Sequence, residues 1–148
     1  MATADVIINN VTYPDVPSIL IPKVGGGNAE FVLDGGGTSK NVQIAQGVNR
    51  VATTSYTAVS GQSITVAKTG TYDVYWVGFR SSTGGTNGSQ LYIGSSSYGS
   101  AQTTFTNHGQ SIHLSNVSLT KNQVVTVRAR ARGSNYYMYV GNLTIIEA

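Results

Sequence analysis

Three arginines are the side chains in this sequence best placed to do chemistry. They alternate with alanine in QVVTVRARAR, residues 123–132, so in a strand Arg128, Arg130 and Arg132 share one face, about 7 Å apart. Guanidinium groups bind carboxylates and phosphates. The pattern alone leaves three interpretations: a solvated strand face, a contact with carboxylates of another subunit or partner, and a nucleic-acid surface. The last would require interleaved lysines and aromatic platforms, so we expect no nucleic-acid partner.

Tyrosines offer a second kind of binding chemistry, because aromatic faces stack on sugar rings. The chain has nine of them, and the densest cluster is Tyr136, Tyr137 and Tyr139, with Met138 in between. Tyrosine is also common in strands and interfaces. The cluster is therefore compatible with structural packing or with a glycan-binding surface, and the arginines belong to the same candidate surface.

The sequence contains few candidate catalytic residues. There is no cysteine, no nucleophile-elbow motif and no phosphate-binding glycine loop. His108 and His113 are five residues apart, one in a predicted turn and one in a predicted strand, so they should not share a face. A glycosidase needs two juxtaposed carboxylates, and residues 46–148 contain only Asp73 and Glu147. We expect a non-enzymatic protein with no catalytic site, cofactor or metal.

Composition narrows the class further. Charged residues make up 10% of the 148 residues, against about 25% in an average domain, so solubility depends on neutral polar groups. Residues 1–45 hold four acidic and two basic side chains, whereas residues 46–148 hold seven basic and two acidic ones. The N-terminus lacks the pattern of a signal peptide, and no stretch is long and apolar enough for membrane insertion.

The elements that must position these side chains are predicted to be strands. Five apolar runs between residues 71 and 147 are punctuated by Gly, Ser and Asn, which favours an all-β antiparallel jelly-roll sandwich. In residues 71–79, Tyr72, Val74 and Trp76 lie on one face, and the other face carries Asp73, Tyr75, Val77 and Phe79. Because both faces are apolar, we expect the facing sheet to cover one and an arm or neighbouring subunit to cover the other.

The first part of the chain is predicted to be a separate extended arm. Residues 5–13 indicate a strand or hairpin, and Pro14, Pro17 and Pro22 then restrict the backbone to an edge or an extended segment. The apolar residues between these prolines are expected to dock on a partner: Ile19, Leu20 and Ile21. We place the arm at residues 1–47 and the jelly roll at residues 48–148.

The pattern from Gly70 to Ile146 resembles the C1q/TNF-like jelly roll. GTYDVYWVGF is similar to that family's aromatic strand, SIHLSNVSLTKNQVVTVRARA to its hairpin, and YYMYVGNLTII to its terminal strand. The resemblance implies a tight homotrimer formed through an aromatic sheet face. It gives two alternatives for the residues that line the three-fold axis: Tyr75 and Phe79, or Tyr72 and Trp76.

The N-terminal segment has a resemblance of its own. INNVTYPDVPSILIPKVGGGNAEFVLD is similar to the N-terminal segments of small structural proteins of tailed bacteriophages. Together the two resemblances imply a virion surface protein, either of the capsid decoration or head-fibre type or a small receptor-binding tail-tip protein, assembled in the host cytoplasm. Its partners would be itself, a phage capsid or other virion protein and, for adhesion, a host surface glycan. The alternative is a carbohydrate-binding module or lectin-like sandwich.

Overall fold

The computed structural model describes residues 4–16, 18–22, 28–32, 40–81 and 86–148; the side chains of residues 4–5, 14–16, 18–22 and 28–32 are outside the description. The described residues form strands and no helix, so none forms a helix capable of crossing a membrane. The strands are β1 (Ala4–Ile8), β2 (Val11–Val16), β3 (Ser18–Pro22), β4 (Asn28–Val32), β5 (Asn41–Val51), β6 (Thr57–Thr65), β7 (Gly70–Arg80), β8 (Gly88–Ile93), β9 (Ser96–Gln102), β10 (Gln110–Leu119), β11 (Val124–Arg130) and β12 (Met138–Glu147).

Two sheets pack face to face as a β-sandwich, which confirms the all-β prediction. The larger sheet has six strands in the order β10-β7-β12-β5-β1-β2, and the smaller has four in the order β6-β11-β8-β9. β3 and β4 form a separate antiparallel pair. Every described pairing is antiparallel except that of β1 with β5.

Short turns explain why several neighbouring strands form hairpins. Asn9 and Asn10 connect β1 to β2 with φ values of 48° and 65°, the left-handed conformation at both central positions that a type I′ turn requires and asparagine tolerates. The predicted hairpin in residues 5–13 is confirmed by this pairing. Gly94, with φ 63°, begins the tight connection from β8 to β9.

The core fills the space between the two sheets with residues from alternate positions of each strand. Trp76 is 1% exposed and its indole N–H donates to Ser89 Oγ of the opposite sheet at 2.9 Å. Tyr72 is fully buried and its hydroxyl donates to the Lys68 carbonyl at 2.6 Å. Burying a side chain of this size stabilises the fold by about 1.5–3 kcal/mol. The inward-facing half of β7 thus belongs to the core of a single chain.

Two buried glutamines connect β6 to the larger sheet, with which it shares no strand pairing. The Gln62 amide donates to the Gly47 carbonyl at 2.9 Å and accepts from Leu143 N–H at 3.0 Å. Gln43 donates to the Thr65 carbonyl and accepts from Ala67 N–H, both at 2.8 Å. Because both amides are satisfied at each end, they hold the edge of one sheet against the other without an unpaired buried polar group.

The predicted boundary between residues 47 and 48 falls inside β5. This strand belongs to the larger sheet from residue 41, and β1 and β2 extend the same sheet. The sandwich therefore includes residues that the sequence assigned to the arm. The backbone of Ile19, Leu20 and Ile21 lies in β3, paired with β4, while their side chains lie outside the described part of the structure.

Candidate functional site

The outer face of the six-stranded sheet is rich in aromatic side chains. Tyr75 and His113 are cross-strand partners whose rings stack with centroids 4.4 Å apart and planes 3° apart. Phe79 and Tyr139 form a second stacked pair at 4.5 Å and 4°. Together with Val77, between the two pairs, these residues form what we call the aromatic face. All its members keep part of their surface in solvent.

The structure distinguishes between the two pairs predicted to line a three-fold axis. Tyr72 is 0% and Trp76 is 1% exposed, because both point between the sheets. No second chain can contact them in this fold. Tyr75 and Phe79 are partly exposed on the opposite face of the same strand. Of the two alternatives, only this pair lies where another subunit could reach it.

Apolar surface continues from the aromatic face across the same sheet. A small buried cluster on its outer side contains Val6, Val42 and Ile146, against which Tyr75 packs. Further along, Tyr13 pairs with Val6 and is 48% exposed, and Val11 pairs with Ile8 and is 52% exposed. Val48, at 54%, lies beside Gly141 on this face. Exposed apolar side chains therefore lie on β2 and β5 as well as in the aromatic face. Several such side chains on one sheet are typical of an interaction surface.

Charged groups lie at the margins of the aromatic face. The Arg50 guanidinium lies over the Tyr137 ring, 3.9 Å from its centroid, and donates to the Tyr139 hydroxyl at 3.4 Å. This hydrogen bond raises the pKa of Arg50, which is already always protonated. His113 Nε2 lies 3.7 Å from the Asp73 carboxylate. Burial, followed by the nearby Asp73 charge, raises the pKa of Tyr75.

The outer face of the four-stranded sheet presents arginines stacked on tyrosines. Arg128 lies over Tyr92 with its guanidinium carbon 4.3 Å from the ring centroid, and Arg130 lies 5.8 Å from that of Tyr56. We call these four residues the arginine–tyrosine face. Burial raises the pKa of Tyr56, an effect that the neighbouring Arg130 charge opposes. Stacking on a ring holds a guanidinium flat while its N–H groups remain available at the edge.

Local sequence explains this arrangement. Arg128 and Arg130 are two residues apart on β11, and both alternate with the buried Val127 and Ala129. Gly88 pairs with Arg130, and a Cβ there would collide with the Tyr56 hydroxyl. Glycine therefore makes room for the Tyr56 ring beside Arg130. Both arginines have a buried Nε atom without a hydrogen-bond partner, so no hydrogen bond restrains either side chain at that atom.

The fold separates the arginines and tyrosines that the sequence analysis placed on one candidate partner surface. Arg128 and Arg130 share a face as predicted, but β11 ends at Arg130, and Arg132 follows it over Tyr136 at 4.8 Å. Tyr137 and Tyr139 instead join Arg50 at the six-stranded sheet. The sequence analysis missed Tyr56 and Tyr92 as partners of the arginines. Tyr92 lies on β8 and Tyr56 just before β6, and the sequence does not show the strand register that brings both beside β11.

The described residues include no group of three or more His, Asp or Glu side chains that could hold a metal ion. One groove of about 200 Å³ lies beside β1, β5 and β6 and is lined by backbone, hydroxyl and amide groups and a few aliphatic side chains. The residues that line this groove include no titratable side chain.

The two histidines lie where the sequence predicted them, His108 in the connection before β10 and His113 on β10.

Comparison with protein-family models finds none that matches this chain, and comparison with curated proteins finds no match either.

Proposed function

We propose that this chain is a non-enzymatic bacteriophage structural protein of the capsid decoration or head-fibre type. It docks by its N-terminal segment and presents a trimeric jelly-roll knob at the virion surface. The observation that carries the proposal is the aromatic face, in which two stacked ring pairs and an extended apolar area remain partly in solvent on one side of a complete sandwich. Such a surface is costly to leave in water and is suited to self-association.

Strand order supports the jelly-roll part of the proposal. From β5 to β12 the chain crosses between the sheets at every connection except the β8–β9 hairpin. Four strands, β10-β7-β12-β5, face four others, β6-β11-β8-β9. Eight strands divided equally between two sheets, with most connections crossing, are typical of a double Greek-key jelly roll. β1 and β2 then form an addition to one edge.

Trimerisation follows from where the apolar surface lies. Three copies related by a three-fold axis can each contribute Tyr75, Phe79 and Tyr139 to a common contact. Completing the burial of side chains of this size stabilises such an interface by up to about 1.5–3 kcal/mol each. The arginine–tyrosine face lies on the opposite side of the sandwich, so it would stay available at the outside of the assembly.

Attachment to the virion is assigned to the proline-flanked apolar segment Ile19, Leu20 and Ile21. The triple variant I19S/L20S/I21S changes this segment without removing any residue of the sandwich. We expect the parent to co-sediment with particles assembled in its presence, and the variant to remain trimeric but stay in the supernatant. A matched control is V124S, at an exposed apolar position on β11, outside both the N-terminal segment and the aromatic face. If the Ile/Leu variant still decorates particles, the docking assignment is wrong.

A carbohydrate-binding module is the second candidate function. The arginine–tyrosine face favours it, because aromatic and charged side chains lie together on one sheet surface. The two candidates are separable by experiment: binding of glycans by the isolated protein without attachment to particles supports the module, and particle attachment supports the structural role.

A further inference from the structure

We propose that the arginine–tyrosine face binds an acidic polysaccharide, with Arg128 and Arg130 engaging carboxylates on neighbouring sugars. This inference names the class of ligand to which the proposed knob would adhere, and only the adhesive role rests on the proposed function. The proposed ligand site lies on the four-stranded sheet, whereas the proposed trimer contact lies on the six-stranded sheet. An experiment can therefore contradict one of these proposals without contradicting the other.

Charge is the first argument. The described ion pairs join Lys68 to Glu147 and His113 to Asp73, and neither involves Arg128 or Arg130. The cross-strand neighbours of these two arginines are Gln90, Gly88 and Ala58, all uncharged. Two cations about 7 Å apart on one strand repel each other, and within the described residues no carboxylate offsets them. An anionic ligand would be favoured by the same charge that now lacks a partner.

Preorganisation is the second argument. The Arg128 guanidinium carbon lies 4.3 Å from the centroid of the Tyr92 ring, and that of Arg130 lies 5.8 Å from the centroid of the Tyr56 ring. A guanidinium held flat on a ring loses less conformational entropy when its N–H fork meets a planar carboxylate. One linear polymer with a carboxylate on each sugar can engage both arginines, whereas a monosaccharide can engage only one. Binding should therefore rise with polymer length through effective concentration.

The surroundings favour a sugar over other polyanions. Ser63, hydrogen-bonded to the buried Thr126 at 2.8 Å, and Gln90, whose amide donates to the Gly99 carbonyl at 2.8 Å, lie on the same sheet face. The Ser63 hydroxyl and the Gln90 amide oxygen are groups that sugar hydroxyls can bind. Single-stranded nucleic acids use free ring faces for base stacking, but the guanidiniums already occupy Tyr56 and Tyr92. Acidic protein partners generally place apolar anchors at the centre of an interface, and no large apolar side chain lies between Arg128 and Arg130.

The test measures binding of polygalacturonate to the purified protein at low ionic strength, with neutral dextran as the uncharged control. The double variant R128S/R130S is compared with K40S/K121S, which removes the same charge elsewhere. We expect the arginine variant to lose about tenfold or more in affinity and the lysine variant to stay within about twofold. R128K/R130K keeps the charge but lacks the planar fork, and it should lose at least about threefold. Melting temperatures confirm that each variant is folded.

Several outcomes would overturn the inference. These are equal binding of polygalacturonate and dextran, equal losses in the arginine and lysine variants, and full retention of affinity in R128K/R130K. Tighter binding of polyuridylate or poly-glutamate than of polygalacturonate would assign the face to nucleic acid or to an acidic protein. A change in the sedimenting mass of R128S/R130S would assign it to a contact between copies. Failure of this test would leave particle attachment and trimerisation unaffected.

Discussion

Replacing Gln62 by leucine removes one of the two buried glutamine connections between β6 and the larger sheet. The Gln62 side chain is 1% exposed and bonds both Gly47 O and Leu143 N–H, at 2.9 and 3.0 Å. Leucine fills a similar volume but leaves both backbone groups without their partner. Leu143 is fully buried, so its N–H bears the full penalty of an unsatisfied group, about 1–3 kcal/mol. Gly47 is exposed, so water can replace part of its bond and the loss there is about 0.5–1.5 kcal/mol.

The free energy of unfolding of Q62L should therefore fall by about 2–4 kcal/mol, which for a chain of this size lowers the melting temperature by roughly 5–15 °C. The assay is denaturant unfolding at fixed protein concentration, and Q46L, the same change at an exposed position, is the control. Q62E refines the test: a neutral carboxyl group can donate to Gly47 O and accept from Leu143 N–H, whereas a carboxylate can only accept. Because burial raises the pKa of such a carboxyl, Q62E should be stable at low pH and lose stability as the pH rises through that pKa. Equal stability of Q62L and Q46L would refute the reasoning.

Two further predictions concern single positions. Burial first, and Glu147 second, raises the pKa of Tyr72 from its usual 10.0 to about 12. Since the folded state favours the neutral phenol, this stabilisation is complete below pH 10 and declines as the pH rises toward 12. In denaturant titrations Y72F should therefore lose stability less steeply than the parent over that interval, and identical slopes would contradict the prediction. Gly88→Ala should displace Tyr56 from Arg130 and weaken polygalacturonate binding about two- to five-fold without changing assembly. The control variant Gly109→Ala should bind polygalacturonate like the parent, and an unchanged affinity of Gly88→Ala would show that Tyr56 is not part of the binding site.

The strand pattern was predictable because alternation is a local property of the sequence. In β7 it correctly placed Tyr72, Val74 and Trp76 on one face, which the structure buries between the sheets. Alternation cannot say which of two apolar faces meets the partner sheet, because both satisfy the same period. That decision depends on the whole sheet that contains β7 and on the sheet that packs against it. The residues of β10 and β12 that pair with β7 come about 30–75 residues later in the chain.

The start of the sandwich was harder to predict because a glycine interrupts β5. Gly47 has φ 113°, and its N–H donates to Asn142 Oδ1 at 3.0 Å, where the register between β5 and β12 shifts. In the sequence, such a glycine marks a boundary as readily as a β-bulge. The bond that keeps the strand continuous comes from a residue 95 positions away.

The candidate site was predictable only in part, for the same reason. The spacing of Arg128 and Arg130 placed them on one face, but their tyrosine partners depend on long-range register. Tyr92 on β8 is the cross-strand partner of Thr126 on β11. Tyr56 lies against Gly88, which is the cross-strand partner of Arg130. Arg132 lies beyond the end of β11, so strand alternation does not determine its direction. Local periodicity fixes which side a residue faces, and only the assembled sheet fixes what it contacts.

The most direct test of the central claim is the sedimentation of aromatic-face variants at micromolar concentration. F79S/Y139S removes one stacked pair from the outer face of the six-stranded sheet, and Y56S/Y92S removes two tyrosines from the opposite face as a matched control. The parent and Y56S/Y92S are predicted to sediment at three times the 15.5 kDa chain mass. F79S/Y139S should lose about 2–4 kcal/mol per interface and sediment as a folded monomer. A monomeric parent, or a trimeric F79S/Y139S, would contradict assembly through the aromatic face.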